Sequence, residues 1–154
     1  MKAQARTHVA GVRVSDAEAL WYDRSRWPSF VDGYASTATV DADWPQAGAT
    51  HVWDSHPGGR GRVNERVTAY EPRTGQTAEV EDEKLSGVQR LGFAPEGDGV
   101  DVTLTLDYRL KNGGPLQALT NLFFIRRALT DSNKRTLSRF SRELLAETDP
   151  DLSR

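Results

Sequence analysis

Two carboxylates, Glu65 and Asp82, stand in the phase of apolar strand positions. Val63, Val67 and Ala69 set that phase around the first, and Ala78 and Val80 around the second. Residues at even separations share one face of a strand, so both carboxyls are expected to point inward. A carboxyl group in a poorly hydrated cavity keeps its proton to higher pH and can serve as acid or base near neutrality. A neighbouring arginine reverses this and holds it ionised. Arg126 is the expected partner of Glu65, and it could equally grip a ligand's carboxylate, phenolate or carbonyl oxygen. Tyr108 brings a hydroxyl to a buried phase, where it needs a partner. These four are the candidates for acid–base chemistry and for gripping a ligand's oxygen. The plainer alternative puts the carboxylates in water at a strand end or bulge, with Arg126 snorkelling past the cavity edge.

Other chemistry finds less support. His51 and His56 are five apart and would face opposite ways on a strand, and no second spacing brings His8 into a metal site. The chain has no cysteine, which excludes disulfides, thiolate nucleophiles and Cys-based zinc sites. His56-Pro57-Gly58-Gly59-Arg60-Gly61-Arg62 lacks the Lys-Ser/Thr ending of a phosphate loop. A basic hairpin at a cavity mouth, or a plain glycine turn, is expected there. No serine sits in a nucleophile-elbow context.

The elements that must position these groups follow from period and punctuation. Residues 5–14 read as a strand. Ser15-Asp16 caps a short helix with Ala17, Leu20 and Trp21 inward, and Trp27 to Val31 forms a second short helical piece closed by Asp32-Gly33. The period then becomes two, over 34–40, 48–55, 62–70, 76–84, 87–93 and 100–110, with 95–99 as a hairpin loop. The final strand is the clearest: Val100, Val102, Leu104, Leu106, Tyr108 and Leu110 alternate with polar residues, as in an antiparallel sheet with one wet face.

A long helix over 115–148 closes the chain. Pro115 suits its first position, and Asp149-Pro150 stops it. Leu119, Leu122/Phe123, Arg126, Leu129/Thr130, Asn133, Leu137, Phe140 and Leu144 recur at helical spacing, apolar toward the C-terminus and polar in the middle. Such a stripe suits the lid of a cavity, because polar groups on a buried face need partners. The helix carries six Lys/Arg against three Asp/Glu in a chain of net charge −2. Nothing global therefore points to nucleic acid or an anionic membrane.

The 154 residues suit one domain with a sizeable core. The opening Met1 to Arg6 lacks a long apolar core, and no run approaches the roughly 18 apolar residues of a membrane span. A cytoplasmic protein is expected.

One strand, two short helices, about six antiparallel strands and one long helix resembles the helix-grip fold of the Bet v 1-like superfamily, the START-related, polyketide cyclase/dehydrase-like proteins. Locally, Ala17-Glu18-Ala19-Leu20-Trp21, Arg26-Trp27-Pro28-Ser29-Phe30, Glu65-Arg66-Val67 and Tyr70-Glu71-Pro72 resemble the family's motifs. The resemblance implies an α+β fold in which a curved antiparallel sheet of about seven strands wraps the long C-terminal helix around a cavity.

Three functions stay open. The first is a binding module for a small hydrophobic molecule (a lipid, isoprenoid or aromatic polyketide). Its pocket would be lined by Trp27, Phe30, Trp53, Glu65, Val67, Val80, Leu104 and Leu106, with Tyr108, Leu119, Phe123, Arg126 and Thr130. The second is a metal-independent cyclase or dehydratase using Glu65 or Asp82 as base and Arg126 or Tyr108 as donor. The third is an interaction or lipid-delivery protein docking through Lys134, Arg135, Arg139 and Arg142. No cofactor is expected, and a homodimer could form through exposed strand edges.

Overall fold

The computed structural model describes residues 1–111 and 117–148, with side chains of the second stretch from Phe123 onward. The expected start of the long helix at Pro115, its stop at Asp149-Pro150, and the side chains of Leu119 and Leu122 lie outside the described residues.

Seven strands form one antiparallel sheet: β1 (Lys2–Val9), β2 (Tyr34–Val40), β3 (Thr50–Ser55), β4 (Arg62–Glu71), β5 (Gly75–Glu81), β6 (Leu85–Glu96) and β7 (Gly99–Leu110). Their order across the sheet is β1-β7-β6-β5-β4-β3-β2. Strands β2 to β7 thus meander, and β1 adds to the far edge by pairing with β7. The helices α1 (Val14–Tyr22) and α2 (Trp27–Phe30), joined by a 3-10 turn at Arg24–Arg26, carry the chain from one edge strand to the other. Helix α3 (Gln117–Thr148) lies in the trough that the twisted sheet makes. This is the helix-grip architecture.

Several expected boundaries shift. The first strand starts at Lys2 and stops at Val9, and α1 begins at Val14 with Arg13 before it, where Ser15-Asp16 was the expected cap. Asp16 instead reaches back to the Arg13 amide at 3.1 Å. Strand β6 runs to Glu96, and the expected loop narrows to Gly97-Asp98. Pro95 is tolerated there because β5 ends opposite Gly92, so that flank of β6 has no ladder for the missing N–H to break. Gly87, opposite Tyr108, allows β6 and β7 to approach closely: a Cβ there would lie 2.2 Å from the Asp107 carbonyl oxygen.

The core falls in two parts along the trough. At one end the short helices knot with the C-terminal half of α3. Trp21, Phe30 and Phe140 meet with ring centroids 5.3–5.5 Å apart, beside Leu137 and Leu144. The Trp27 indole N–H donates to the Trp21 carbonyl at 2.6 Å, so its polar atom does not oppose burial. At the other end Ala3, Val80, Leu85, Leu106 and Tyr108 form a smaller cluster, capped by Ile125 and Leu129 of α3. An ionic clip fixes the helix between them. Asp32 accepts from Ser132 at 2.8 Å, from Arg135 at 3.0 and 3.1 Å and from Arg139 at 3.2 Å, while its own N–H donates to Thr136 at 3.0 Å.

Candidate functional site

Between the two core clusters a small cavity remains, with about 50 Å³ of space. Trp21, Trp27, Trp53, Leu104, Leu106 and Leu129 supply its apolar wall. Arg60, Glu65, Gln89, Ser132, Asn133 and Thr136 supply polar groups, with Val31 and Asp32 at one side. At roughly 10–15 Å³ per water this holds a few waters, not a lipid. The helix therefore fills most of the trough. A larger concavity of about 920 Å³ lies on the outer sheet face. Several charges there are paired, as in Arg66–Glu79 at 2.6 Å and Arg90–Asp107 at 2.7 Å.

Glu65 is 5% exposed and faces the cavity, in phase with Val63 and Val67. Its partners are not those expected. Oε1 accepts from the Trp53 indole N–H at 3.2 Å, and Oε2 lies 3.4 Å from His51 Nδ1. His51 is fully buried and sits directly opposite Glu65 in the β3–β4 register. Its Nε2 meets the Tyr34 hydroxyl at 3.2 Å, and that hydroxyl also bonds Thr37. Burial pushes the Tyr34 phenol above its ordinary range; Thr37 and the Arg24 charge oppose this, and Glu65 adds to it. Trp27, Trp44 and Tyr34 enclose the imidazole with centroids 4.9–6.2 Å away.

Asp82 is buried, also as its phase implied, but its work is local. Oδ1 accepts from the amides of Lys84 and Leu85 at 2.8 and 2.9 Å, closing the β5–β6 turn. Oδ2 accepts from Arg60 Nε at 2.7 Å. Arg60 reaches this point from the glycine-rich β3–β4 loop, lies over the Trp53 ring and lines the cavity. Its Nη2 is buried with no hydrogen-bond partner among the described residues. Gly61 makes the loop possible. Its φ is +74°, and a Cβ there would meet the Glu83 carboxyl carbon at 2.9 Å.

Arg126 corrects the expected Glu65–Arg126 pair. It is exposed, and among the described residues Glu65 pairs with Trp53 and His51 instead. Phe123 is likewise turned out, at 68% exposure, and so is not a pocket wall. The reason is helix phase. Ile125, Leu129, Ser132 and Thr136 take the inward positions, so the expected stripe is rotated by one residue over the first half of α3. Arg126 still acts at a distance. Burial raises the Tyr108 phenol pKa, and the Arg126 charge pulls it the other way. The Tyr108 hydroxyl is buried without a partner among the described residues, beside the second core cluster.

Of the other expected lining residues, Trp27, Trp53, Leu104 and Leu106 reach the cavity. Phe30, Val67 and Val80 are buried in the core and do not, and Thr130 is half-buried on α3. The expected basic docking face is partly occupied, since Arg135 and Arg139 are bound to Asp32. Arg60, His51, Tyr34 and Asp32 escaped the sequence reading as site residues. Only the position of Arg60 in a hairpin expected at a cavity mouth carried a signal.

Comparison with known proteins settles the relationship. The family described as polyketide cyclase / dehydrase and lipid transport matches residues 2–144. The chain belongs to this family. Its solved neighbours share the Bet v 1-like fold at low identity. A Thermus thermophilus protein superposes with a TM-score of 0.72 at 14% identity, covering 97% of this chain and 100% of that one. Norcoclaurine synthase from Thalictrum flavum, solved with a transition state analogue, gives 0.70 at 12% identity over 97% and 96% of the two chains. A Staphylococcus aureus protein of unknown function gives 0.73 at 7% identity over 96% of each. No curated protein sequence matches the chain. Among the described residues, no helix is long and apolar enough to cross a membrane.

Proposed function

We propose that this family member binds a small hydrophobic molecule bearing one carboxylate, phenolate or carbonyl oxygen, in the space between α3 and the sheet. The observation that carries this reading is the free, buried Nη2 of Arg60 in a cavity that it lines together with Glu65 and Trp53. An unpaired buried guanidinium N–H is costly, and a ligand oxygen repays it with a charge-assisted bond. The aromatic and leucine wall takes the apolar body.

Ligands of this kind need roughly 300–1,000 Å³, far more than the closed cavity offers. Room is made by α3. Its first half packs on the sheet through Ile125 and Leu129, while Phe123, Phe124, Arg126 and Arg127 face solvent. An outward movement of the helix at Ile125 and Leu129 opens the trough beside Leu106.

The test is displacement of anilinonaphthalene sulfonate, with native mass spectrometry of protein taken directly from cells. Leu106→Trp fills the cavity and is expected to abolish probe binding. Unchanged binding by this variant rules out the site. A lipid, isoprenoid or aromatic polyketide recovered intact supports a carrier; a product in altered form supports a cyclase or dehydratase with Glu65 as base.

A further inference from the structure

The polar chain behind Glu65 has a direction. Glu65 borders the cavity, His51 stands next to it at 3.4 Å, Tyr34 follows at 3.2 Å, and Thr37, hydrogen-bonded to Tyr34, is exposed on β2. His51 and Tyr34 are walled by Trp27, Trp44 and Trp53. A core that needs only packing does not place a histidine, fully buried, in register with a buried carboxylate and end the row at solvent. His51 Nδ1 has no hydrogen-bond partner among the described residues, and it lies 3.4 Å from Glu65 Oε2. Such bonds tighten when a ligand completes the site.

We propose that Glu65, His51, Tyr34 and Thr37 form a proton relay that lets Glu65 act as general base on a bound ketone and exchange the abstracted proton with solvent through β2. The inference rests on the cavity reading above. A ligand carbonyl oxygen faces Arg60 Nη2, and Glu65 removes a proton from the adjacent carbon. The electron pair of the broken C–H bond stays on the ligand as an enolate held by Arg60. The proton passes from Glu65 Oε2 to His51 Nδ1. The Nε2 proton moves to the Tyr34 oxygen, the Tyr34 proton to the Thr37 oxygen, and the Thr37 proton to water. Each relay residue gains one proton and loses one, and no electrons enter or leave the protein. The reverse passage delivers a solvent proton to the ligand carbon and restores the imidazole tautomer. The charged and titratable groups facing the relay are Arg24 from the turn between the short helices, Tyr34 from β2 and Glu65 from β4. His51 is a positioning residue here, since it acts through Glu65.

The probe is β-tetralone, a bicyclic aryl ketone, in deuterated buffer, with loss of its α-protons followed by NMR. Binding is read separately from competition with anilinonaphthalene sulfonate. Wild type is expected to accelerate exchange at least about a hundredfold over buffer. His51→Gln and Tyr34→Phe are expected to bind the probe normally and lose about tenfold or more of the exchange rate, a split between binding and rate that a merely structural role would not give. Tyr34→Phe keeps the ring and carries the test if His51→Gln does not fold. Binding without exchange, or an exchange rate unchanged in both variants, overturns the relay and leaves the cavity reading standing. Failure of β-tetralone to compete at all removes the cavity reading and the relay together.

Discussion

Arg60 Nε donates to Asp82 Oδ2 at 2.7 Å, and this bond aims a surface-loop arginine across the cavity with one N–H left over. The loop's backbone puts Arg60 near the cavity, and the buried carboxylate of Asp82 sets its orientation. Arg60→Gln removes the charge-assisted donor. Affinity for anilinonaphthalene sulfonate should fall about tenfold or more, as the loss of roughly 1.5–3 kcal/mol implies, in a fluorescence titration.

Asp82 itself is a fold residue. Asp82→Ala strands the Lys84 and Leu85 amides and releases Arg60. Urea denaturation should show a loss of about 2–3 kcal/mol, well above that of Arg60→Gln.

Glu65 separates chemistry from stability. Glu65→Gln keeps an oxygen for the Trp53 indole N–H and an N–H for His51, and its stability should stay within about 1 kcal/mol of wild type. Glu65→Leu leaves the indole N–H buried without an acceptor and should cost about 1–3 kcal/mol. Both variants should lose β-tetralone exchange. Retained exchange in Glu65→Gln would exclude Glu65 as the base.

Asp32 makes the helix clip pH-dependent. Burial alone would raise its pKa, but bonds from Arg135 and Ser132 and the charges of Arg135 and Arg139 outweigh it, so the native value lies below the ordinary 3.8. A depressed carboxylate stabilises the fold above its unfolded pKa and loses that contribution as pH falls through the native value. Asp32→Asn should therefore cost about 1 kcal/mol at pH 7, given the solvent reaching Arg135 and Arg139. The gap to wild type should close as pH is lowered through about 4 and below. Parallel urea titrations across that range check the sign.

The two halves of α3 should respond differently. Phe140 is fully buried between Trp21 and Phe30, and Phe140→Ala should cost about 3–5 kcal/mol. Phe123 and Phe124 are 68% and 64% exposed, so the double change to Ser should stay within about 0.5 kcal/mol. A large loss there would mean that the first half of α3 is firmly packed and the proposed opening fails.

Local period alone determined the strands, the long helix and the inward phase of Glu65, because alternation and helical spacing are properties of neighbouring residues. With the short motifs around Trp21 and Trp27, the order of these elements was enough to indicate the helix-grip fold. What stands opposite a residue is not local. His51, and not the expected Arg126, faces Glu65 because of the β3–β4 register, and Asp82 meets Arg60 because a glycine-rich loop folds back. Asp32 binds Arg135 across more than a hundred residues of chain. Helix rotation is equally collective. The polar stripe of α3 fits two phases one residue apart, and packing of Ile125 and Leu129 on the sheet selected the one that turns Arg126 outward. The cavity's volume came last, since it is the space left after every side chain has packed.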